Sequence, residues 1–405
     1  MSNPRLPGEL LDHIVDHLRD TNPALMNCCL VSKSWIPRTR KHLFADIRFD
    51  TEEHLRSWKK TFSDPSTSPA RYAEALFVRC PHVVTAADGE PGGWITGFSR
   101  VVQLEVSSRG ALAVAVKPTA SLVPFHGFSP TVKSLLVSFF QLSSSQILNF
   151  ALSFPLLEDL TVGVVHRVSA GNDDGSDGVP VVVKPSNLPT FNGSLGLFLN
   201  GGMGPITRRL LSLPGGIHFR KLTLKWFHEE DVLLTTALVE KCSHTLEYLN
   251  IARHLCCTSV RACICTDNSL LFPVEPESTP VNLSKATKLG SVVFRPESLN
   301  IEWITVMLQT ITSKNRALRQ ISIHAPGYSR LFKVSTNIRQ SIGEAACGLW
   351  SDLDRPLIQF WESRSLHPKV ICVMAREETR DTSHWIECLM PEATGRGMID
   401  FIECY

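Results

Sequence analysis

The stretches Phe219-Arg220-Lys221-Leu222-Thr223-Leu224 and Leu246-Glu247-Tyr248-Leu249-Asn250-Ile251 decide the fold of this chain. In both, apolar residues occupy the first, fourth and sixth positions. The last two of these lie two residues apart, so they point to the same side of a β-strand. The residues between them are polar and point to the other side. Each stretch therefore predicts a strand that buries one face.

The same spacing recurs along much of the chain, and segments with helical apolar spacing, 145–153, 229–242 and 300–312, fall between its copies. The intervals between the middle positions run from 25 to 43 residues. This arrangement resembles leucine-rich repeats, in which strand–helix units stack into a solenoid because one unit cannot bury its own face. The further copies are Val101/Leu104/Val106, Val132/Leu135/Val137, Leu157/Leu160/Val162, Leu289/Val292/Phe294 and Leu318/Ile321/Ile323, with a looser member at Leu195/Leu197/Leu199.

An ordinary α/β domain remains an alternative to the solenoid. Asn or Cys is mostly missing from the ladder position of the repeat, and the 43-residue interval carries a large insertion. Alternating strands and helices also build ordinary domains with a parallel sheet.

The composition excludes several classes of protein. Of the 405 residues, 43% are hydrophobic and 20% are charged, and Gly and Pro number 24 and 25. Such a chain can bury a large core, so it is neither disordered nor fibrous. The formal net charge is +2, which argues against a protein that neutralises the phosphates of nucleic acid.

The location of the protein is predicted from two features. Glu9, Asp12 and Asp16 interrupt any apolar signal-peptide core near the amino terminus. The uncharged run from 134 to 157 contains too many polar residues for a lipid-facing helix, so we interpret it as a buried strand and helix. We therefore expect no membrane partner, a cytoplasmic or nuclear location, and reduced thiols at the 12 cysteines.

Three short helices are predicted in the first fifty residues. Apolar spacing marks the first, Asn22-Pro23 begins the second, and Ser32 or Ser34 caps a third that runs through Trp35 to about Leu43. So small a unit leaves much apolar surface for its volume and needs a partner to be stable. The apolar positions of the first two helices are Leu10, Leu11, Ile14, Val15, Leu18, Ala24, Leu25, Cys28 and Val31.

The stretches Leu6-Pro7-Gly8-Glu9-Leu10-Leu11 and Leu30-Val31-Ser32-Lys33-Ser34-Trp35 resemble the two ends of an F-box. The resemblance covers about a tenth of the chain and implies binding to Skp1, which links F-box proteins to a cullin-RING ubiquitin ligase. A plain helical cap on the next domain is the alternative, because it would show the same periodicity. By matching position, the docking surface or the core behind it comprises Leu6, Pro7, Leu10, Ile14, Leu18, Leu25, Val31, Ser32 and Trp35.

The predicted organisation is an α/β chain with a three-helix F-box at 1–48, a transitional segment at 49–98, an irregular leucine-rich-repeat-like solenoid at 99–326 and a cap at 327–405. The resemblance implies a non-catalytic, substrate-recognition adaptor of an SCF-type (Skp1-cullin-F-box) E3 ubiquitin ligase, with an unknown target protein on the solenoid. The alternatives are an F-box-like scaffold outside any ligase and an enzyme hidden in an α/β domain.

No chemical site stands out. The densest cluster is His254, Cys256, Cys257, Cys263 and Cys265, but its spacings are not those of paired zinc knuckles, so we expect reduced thiols and no metal. The acidic run 173–177 lacks the spacing of a calcium loop. No nucleotide-binding or hydrolase motif occurs, so neither a cofactor nor a catalytic residue is predicted. No arginine cluster stands out among the predicted strands to bind a phosphate.

Overall fold

The computed structural model shows a mixed α/β protein that divides into two compact units, Met1–Thr190 and Phe191–Tyr405. Each unit contains a parallel sheet. The residues whose structure is described are 7–64, 67–80, 84, 86–90, 93–107, 122–128, 130–138, 144–163, 188–199, 203–226, 230–253, 281–296, 302–324, 351, 353–355, 357–359, 361–362, 369–375 and 390–404.

The amino-terminal unit begins with helices α1 (Gly8–His17), α2 (Asn22–Val31) and α3 (Ile36–Leu43). Its strands then pair in parallel, each with the strand before it in the sequence. They are β1 (Asp46–Phe49), β2 (Ala75–Val78), β3 (Gln103–Ser107), β4 (Ser134–Ser138) and β5 (Asp159–Val162), with helix α4 (Glu52–Thr61) after β1, α5 (Ser144–Leu152) after β4, and 3-10 turns at Pro69–Tyr72, Ala86–Gly89, Trp94–Gly97 and Val123–Phe128.

The carboxy-terminal unit follows the same rule of parallel pairing between strands that are consecutive in the chain. Its strands are β6 (Ser194–Leu197), β7 (Lys221–Trp226), β8 (Tyr248–Arg253), β9 (Ser291–Pro296), β10 (Gln320–His324), β11 (Lys369–Ala375) and β12 (Ile399–Cys404). Its helices are α6 (Gly204–Leu211), α7 (Glu230–Lys241), α8 (Glu302–Gln309) and α9 (Pro391–Gly395).

The apolar positions of the predicted repeat lie in the core of both units. Every one of these side chains is buried, with at most 3% of its surface exposed. The register stacks them in rows across the sheet, as with Leu222 beside Leu249 and Leu224 beside Ile251. Burying such a side chain contributes about 1.5 to 3 kcal/mol relative to leaving it in water, which explains why this spacing predicts the strands.

The parallel pairing extends further toward the amino terminus than the repeat pattern predicted. Ala73, Leu76 and Val78 have the same spacing and are fully buried, and β2 pairs with both β1 and β3. The sequence predicts a strand at Ala75 to Arg79, which β2 confirms, but it does not mark this strand as a repeat because alanine is too small to identify a buried position.

The predicted helices between strands are confirmed within two residues at most ends, as α5, α7 and α8. The uncharged run 134–157 forms β4 and α5, as predicted for a buried strand and helix. Among the residues that the structure describes, we find no helix with the length and hydrophobicity needed to span a bilayer.

The predicted cap of the third helix is wrong. Helix α3 begins at Ile36, Trp35 precedes it, and neither Ser32 nor Ser34 caps it with a side chain. Instead the amide of Ser34 donates to Ser32 Oγ at 3.3 Å, which uses the hydroxyl locally. Pro37 does lie in the first turn, where its missing N–H removes no helical hydrogen bond.

Candidate docking site on the amino-terminal helices

Helix α3 contacts both α1 and α2, and a charged cluster joins it to α1. Arg38 donates from Nε and Nη2 to the two carboxylate oxygens of Asp16 at 2.7 and 2.5 Å, and His42 Nε2 lies 2.7 Å from Asp16 Oδ1. Because these hydrogen bonds favour the ionised carboxylate, Arg38 first and His42 second hold the pKa of Asp16 well below its usual range. Asp16 therefore links α1 to α3 through two side chains of α3.

The apolar core of the three helices is small. Val15, Leu25 and Cys28 are buried, with 1%, 0% and 7% of their surface exposed. Thr39 is also buried, and its hydroxyl donates to the carbonyl of Trp35 at 2.8 Å. This core covers only one side of α1 and of α2.

The opposite sides of α1 and α2 expose large apolar side chains. Leu10 and Ile14 on α1 are 48% and 41% exposed, and they lie one helical turn apart. Met26 and Leu30 on α2, 61% and 86% exposed, are related in the same way, and Val31 beside them is 67% exposed. Of the eight large apolar side chains exposed in the described part of the chain, five thus lie between residues 10 and 31.

Helix α2 is apolar on two sides. Leu25 and Cys28 face the small core, whereas Met26, Leu30 and Val31 face solvent. A helix that is apolar all round is normally covered all round, because exposed apolar surface is unfavourable in water. The exposed side of α2 therefore has the character of an interface.

The structure distributes the predicted docking residues between surface and core. Pro7, Leu10, Ile14 and Val31 are exposed, Leu18, Ser32 and Trp35 are half-buried, Leu25 is fully buried, and Leu6 lies outside the described residues. Trp35 lines a depression of about 310 Å³ together with residues of α1 that include Leu11 and Val15. The depression therefore lies beside α1 and the start of α3.

Sequence reasoning missed Met26 and Leu30 as members of this surface. Their i, i+4 spacing on α2 is the signal that could have identified them. The signal is ambiguous because Leu25 and Cys28, which are buried, lie on the other side of the same helix, so both sides are apolar.

The outward side of the amino-terminal sheet, opposite the buried repeat positions, carries charges that are already paired. Arg79 donates to Asp50 at 2.5 Å and to Glu105 at 3.3 Å, and Ser107 Oγ donates to the same Glu105 carboxylate at 3.1 Å. Such a network fixes neighbouring side chains and leaves little net charge to attract a ligand.

No group of three or more metal-binding side chains occurs within the described ranges. The predicted cluster at 254–265, the acidic run 173–177 and the helix predicted near 337–349 lie outside those ranges. Cys28, Cys29, Cys80 and Cys242 are free thiols, and burial raises the pKa of both Cys80 and Cys242 to about 11.

Comparisons with models of protein families, with curated protein sequences and with solved structures found no match.

Proposed function

We propose that this protein is the substrate-recognition adaptor of an SCF-type E3 ubiquitin ligase. Its amino-terminal helices bind a Skp1-like adaptor in the manner of an F-box, and through it a cullin-RING ligase. The observation that carries the proposal is the apolar surface of α1 and α2, since Leu10, Ile14 and Val31, which the F-box resemblance assigns to docking, are exposed.

The two sheets supply the second half of the proposal. Parallel strands that pair in chain order, with buried rows at leucine-rich-repeat spacing, support a leucine-rich-repeat-like array in each unit. Such an array presents one outward side chain at every second strand residue, which suits the binding of a target protein. The mechanism is proximity: the adaptor end and the target end bring target lysines close to the ubiquitin-loaded enzyme.

In this proposal the chain acts without a catalytic residue, cofactor or metal of its own. The free thiols at Cys28, Cys29, Cys80 and Cys242 are in keeping with the reducing cytoplasm or nucleus, where such ligases act.

The test is co-purification of the full chain with a Skp1 homologue. In the Leu10→Asp/Ile14→Asp variant, two charges replace apolar side chains at the proposed interface, so capture of Skp1 should be lost while the circular dichroism spectrum stays unchanged. The matched control is Leu156→Asp/Val102→Asp, because these side chains are equally exposed, at 48% and 41%, and lie outside the three helices. Undiminished capture by the first variant would overturn the docking assignment.

The alternative is an F-box-like scaffold that works outside any ligase. It predicts that Skp1 binds but that no cullin co-purifies from the native cell. Recovery of a cullin that depends on Leu10 and Ile14 would favour the ligase adaptor.

A further inference from the structure

The depression beside α1 and the start of α3 has an apolar floor. Val15 in this floor is buried, whereas Leu11 and Trp35 are half-buried. The volume of about 310 Å³ is at the lower end for ligand pockets, which suits a single side chain better than a large molecule. Gly8 also lines the depression, and no atom lies within 4 Å of the point where a Cβ on Gly8 would stand. The depression is therefore open at the amino-terminal end of α1.

Two carboxylates border this apolar floor. Glu9 and Asp12 line the depression, and they lie three residues apart on α1 and hence on the same side of the helix. Both are exposed. Within the described part of the chain, neither carboxylate forms an ion pair or a side-chain hydrogen bond. Both are therefore available to a ligand.

The one cation that lines the depression is already bound. Arg38 donates to both carboxylate oxygens of Asp16, so these two charges cancel. The hydrogen bond to Asp16 is the main cause that raises the pKa of Arg38, and the charge of Asp12 contributes the least. Lys33 is exposed nearby in the sequence, but it does not line the depression and forms no ion pair with either carboxylate among the described residues. The depression therefore carries a charge of about −2 at neutral pH.

The ring of Trp35 supplies an aromatic surface beside these carboxylates. It is half-buried, and among the described residues no cation lies over it. An arginine side chain suits this combination, because its guanidinium stacks on aromatic rings and its planar set of donors fits carboxylates. The carbons of the same side chain can pack on the apolar floor.

We propose that the depression binds an arginine side chain of the partner polypeptide that covers α1 and α2. Leu11 in the floor follows the exposed Leu10, and Ser34 at the border lies three residues after the exposed Val31. A partner that covers the exposed apolar surface therefore lies next to the depression. The excess of two carboxylates selects a cationic occupant over an apolar or acidic one.

The inference rests on the proposed function only in assigning the arginine to the Skp1-like adaptor; binding in the depression is measured separately. The probe is N-acetyl-arginine methylamide, added to the full chain labelled with 5-fluorotryptophan and followed by fluorine NMR. Of the eight tryptophan signals, that of Trp35 is the one missing in Trp35→Phe. The probe should shift this signal saturably, with half-saturation at about 1 to 10 mM, as expected for one small ligand group.

The neutral analogue N-acetyl-glutamine methylamide should not shift the Trp35 signal saturably in this range. The Glu9→Gln/Asp12→Asn variant should bind the arginine probe about three- to tenfold more weakly at ~0.05 M salt, because each exposed charge pair contributes modestly. Its circular dichroism spectrum should match the wild type, since both side chains are exposed and keep their size.

The matched control is Glu53→Gln/Asp46→Asn. It removes the same charge from exposed positions outside the three helices, and Glu53 also lies in the first turn of its helix. Its affinity for the arginine probe should stay within about twofold of the wild type. Equal losses in the two variants would overturn the proposal, as would equal shifts by the neutral analogue or no saturable shift at all.

Binding of a Skp1 homologue to the same variants separates this inference from the proposed function. Glu9→Gln/Asp12→Asn should weaken Skp1 binding about three- to tenfold, whereas Leu10→Asp/Ile14→Asp should still bind the arginine probe. Loss of Skp1 capture in the wild type with intact probe binding would refute the ligase adaptor alone. Intact Skp1 capture without probe binding would refute the arginine site alone.

Discussion

Leu30 and Leu25 lie on the same helix and should respond in opposite ways to replacement by alanine. Leu30 is 86% exposed in the free chain, whereas Leu25 is fully buried. The expected loss is the burial energy of a leucine side chain multiplied by the exposed fraction of Leu30 and by the fraction of its carbons that alanine removes. On this basis, Leu30→Ala should weaken Skp1 binding by about 1 to 2 kcal/mol, or about five- to thirtyfold. Its free energy of unfolding should stay within about 0.5 kcal/mol of the wild type.

Leu25→Ala should instead cost about 2 to 5 kcal/mol of stability, because it leaves a cavity where a fully buried side chain was. Isothermal titration calorimetry measures the binding, and thermal unfolding followed by circular dichroism measures the stability. If Leu30→Ala destabilised the free chain as much as Leu25→Ala, the exposed side of α2 would already be covered within the molecule. The interface argument would then be wrong.

Two further predictions concern titrating groups. Hydrogen bonds from Arg38 and His42 lower the pKa of Asp16 in the folded chain, so the stability that they add is present above about pH 4 and is lost as the pH falls further. In thermal melts, Asp16→Asn should therefore lose less stability than the wild type between about pH 4 and pH 2. Burial raises the pKa of Cys80 and Cys242 to about 11, so at pH 8 iodoacetamide should alkylate them about a hundredfold more slowly than an ordinary thiol. Peptide mapping that found them labelled as fast as half-buried Cys29 would contradict this.

The strands were predictable because the buried apolar residues of each strand lie at fixed intervals, and these intervals are visible in a single sequence. Leu222 and Leu224 illustrate it: both are fully buried, and both are followed by a matching pair in the next strand. Ala73 shows the limit, since a small residue fills the same position without marking it. The domain boundaries predicted from the F-box resemblance and the repeat spacing stay predictions.

The docking residues were predictable only in part. The F-box resemblance pointed to Leu10 and Ile14, which are exposed. It did not point to Met26, because on α2 apolar residues occur on both sides and periodicity cannot tell which side is buried. Only the burial of Leu25 and Cys28 in the structure distinguishes the two sides.

Within each unit, the strands that the structure describes pair with their predecessors in the chain, and this has a consequence for synthesis. In each unit a strand that leaves the ribosome finds the neighbour it needs already made, so assembly can follow translation from the amino end without waiting for distant partners. A nascent chain halted after β4 or after β9 would carry an open sheet edge ready for the next strand.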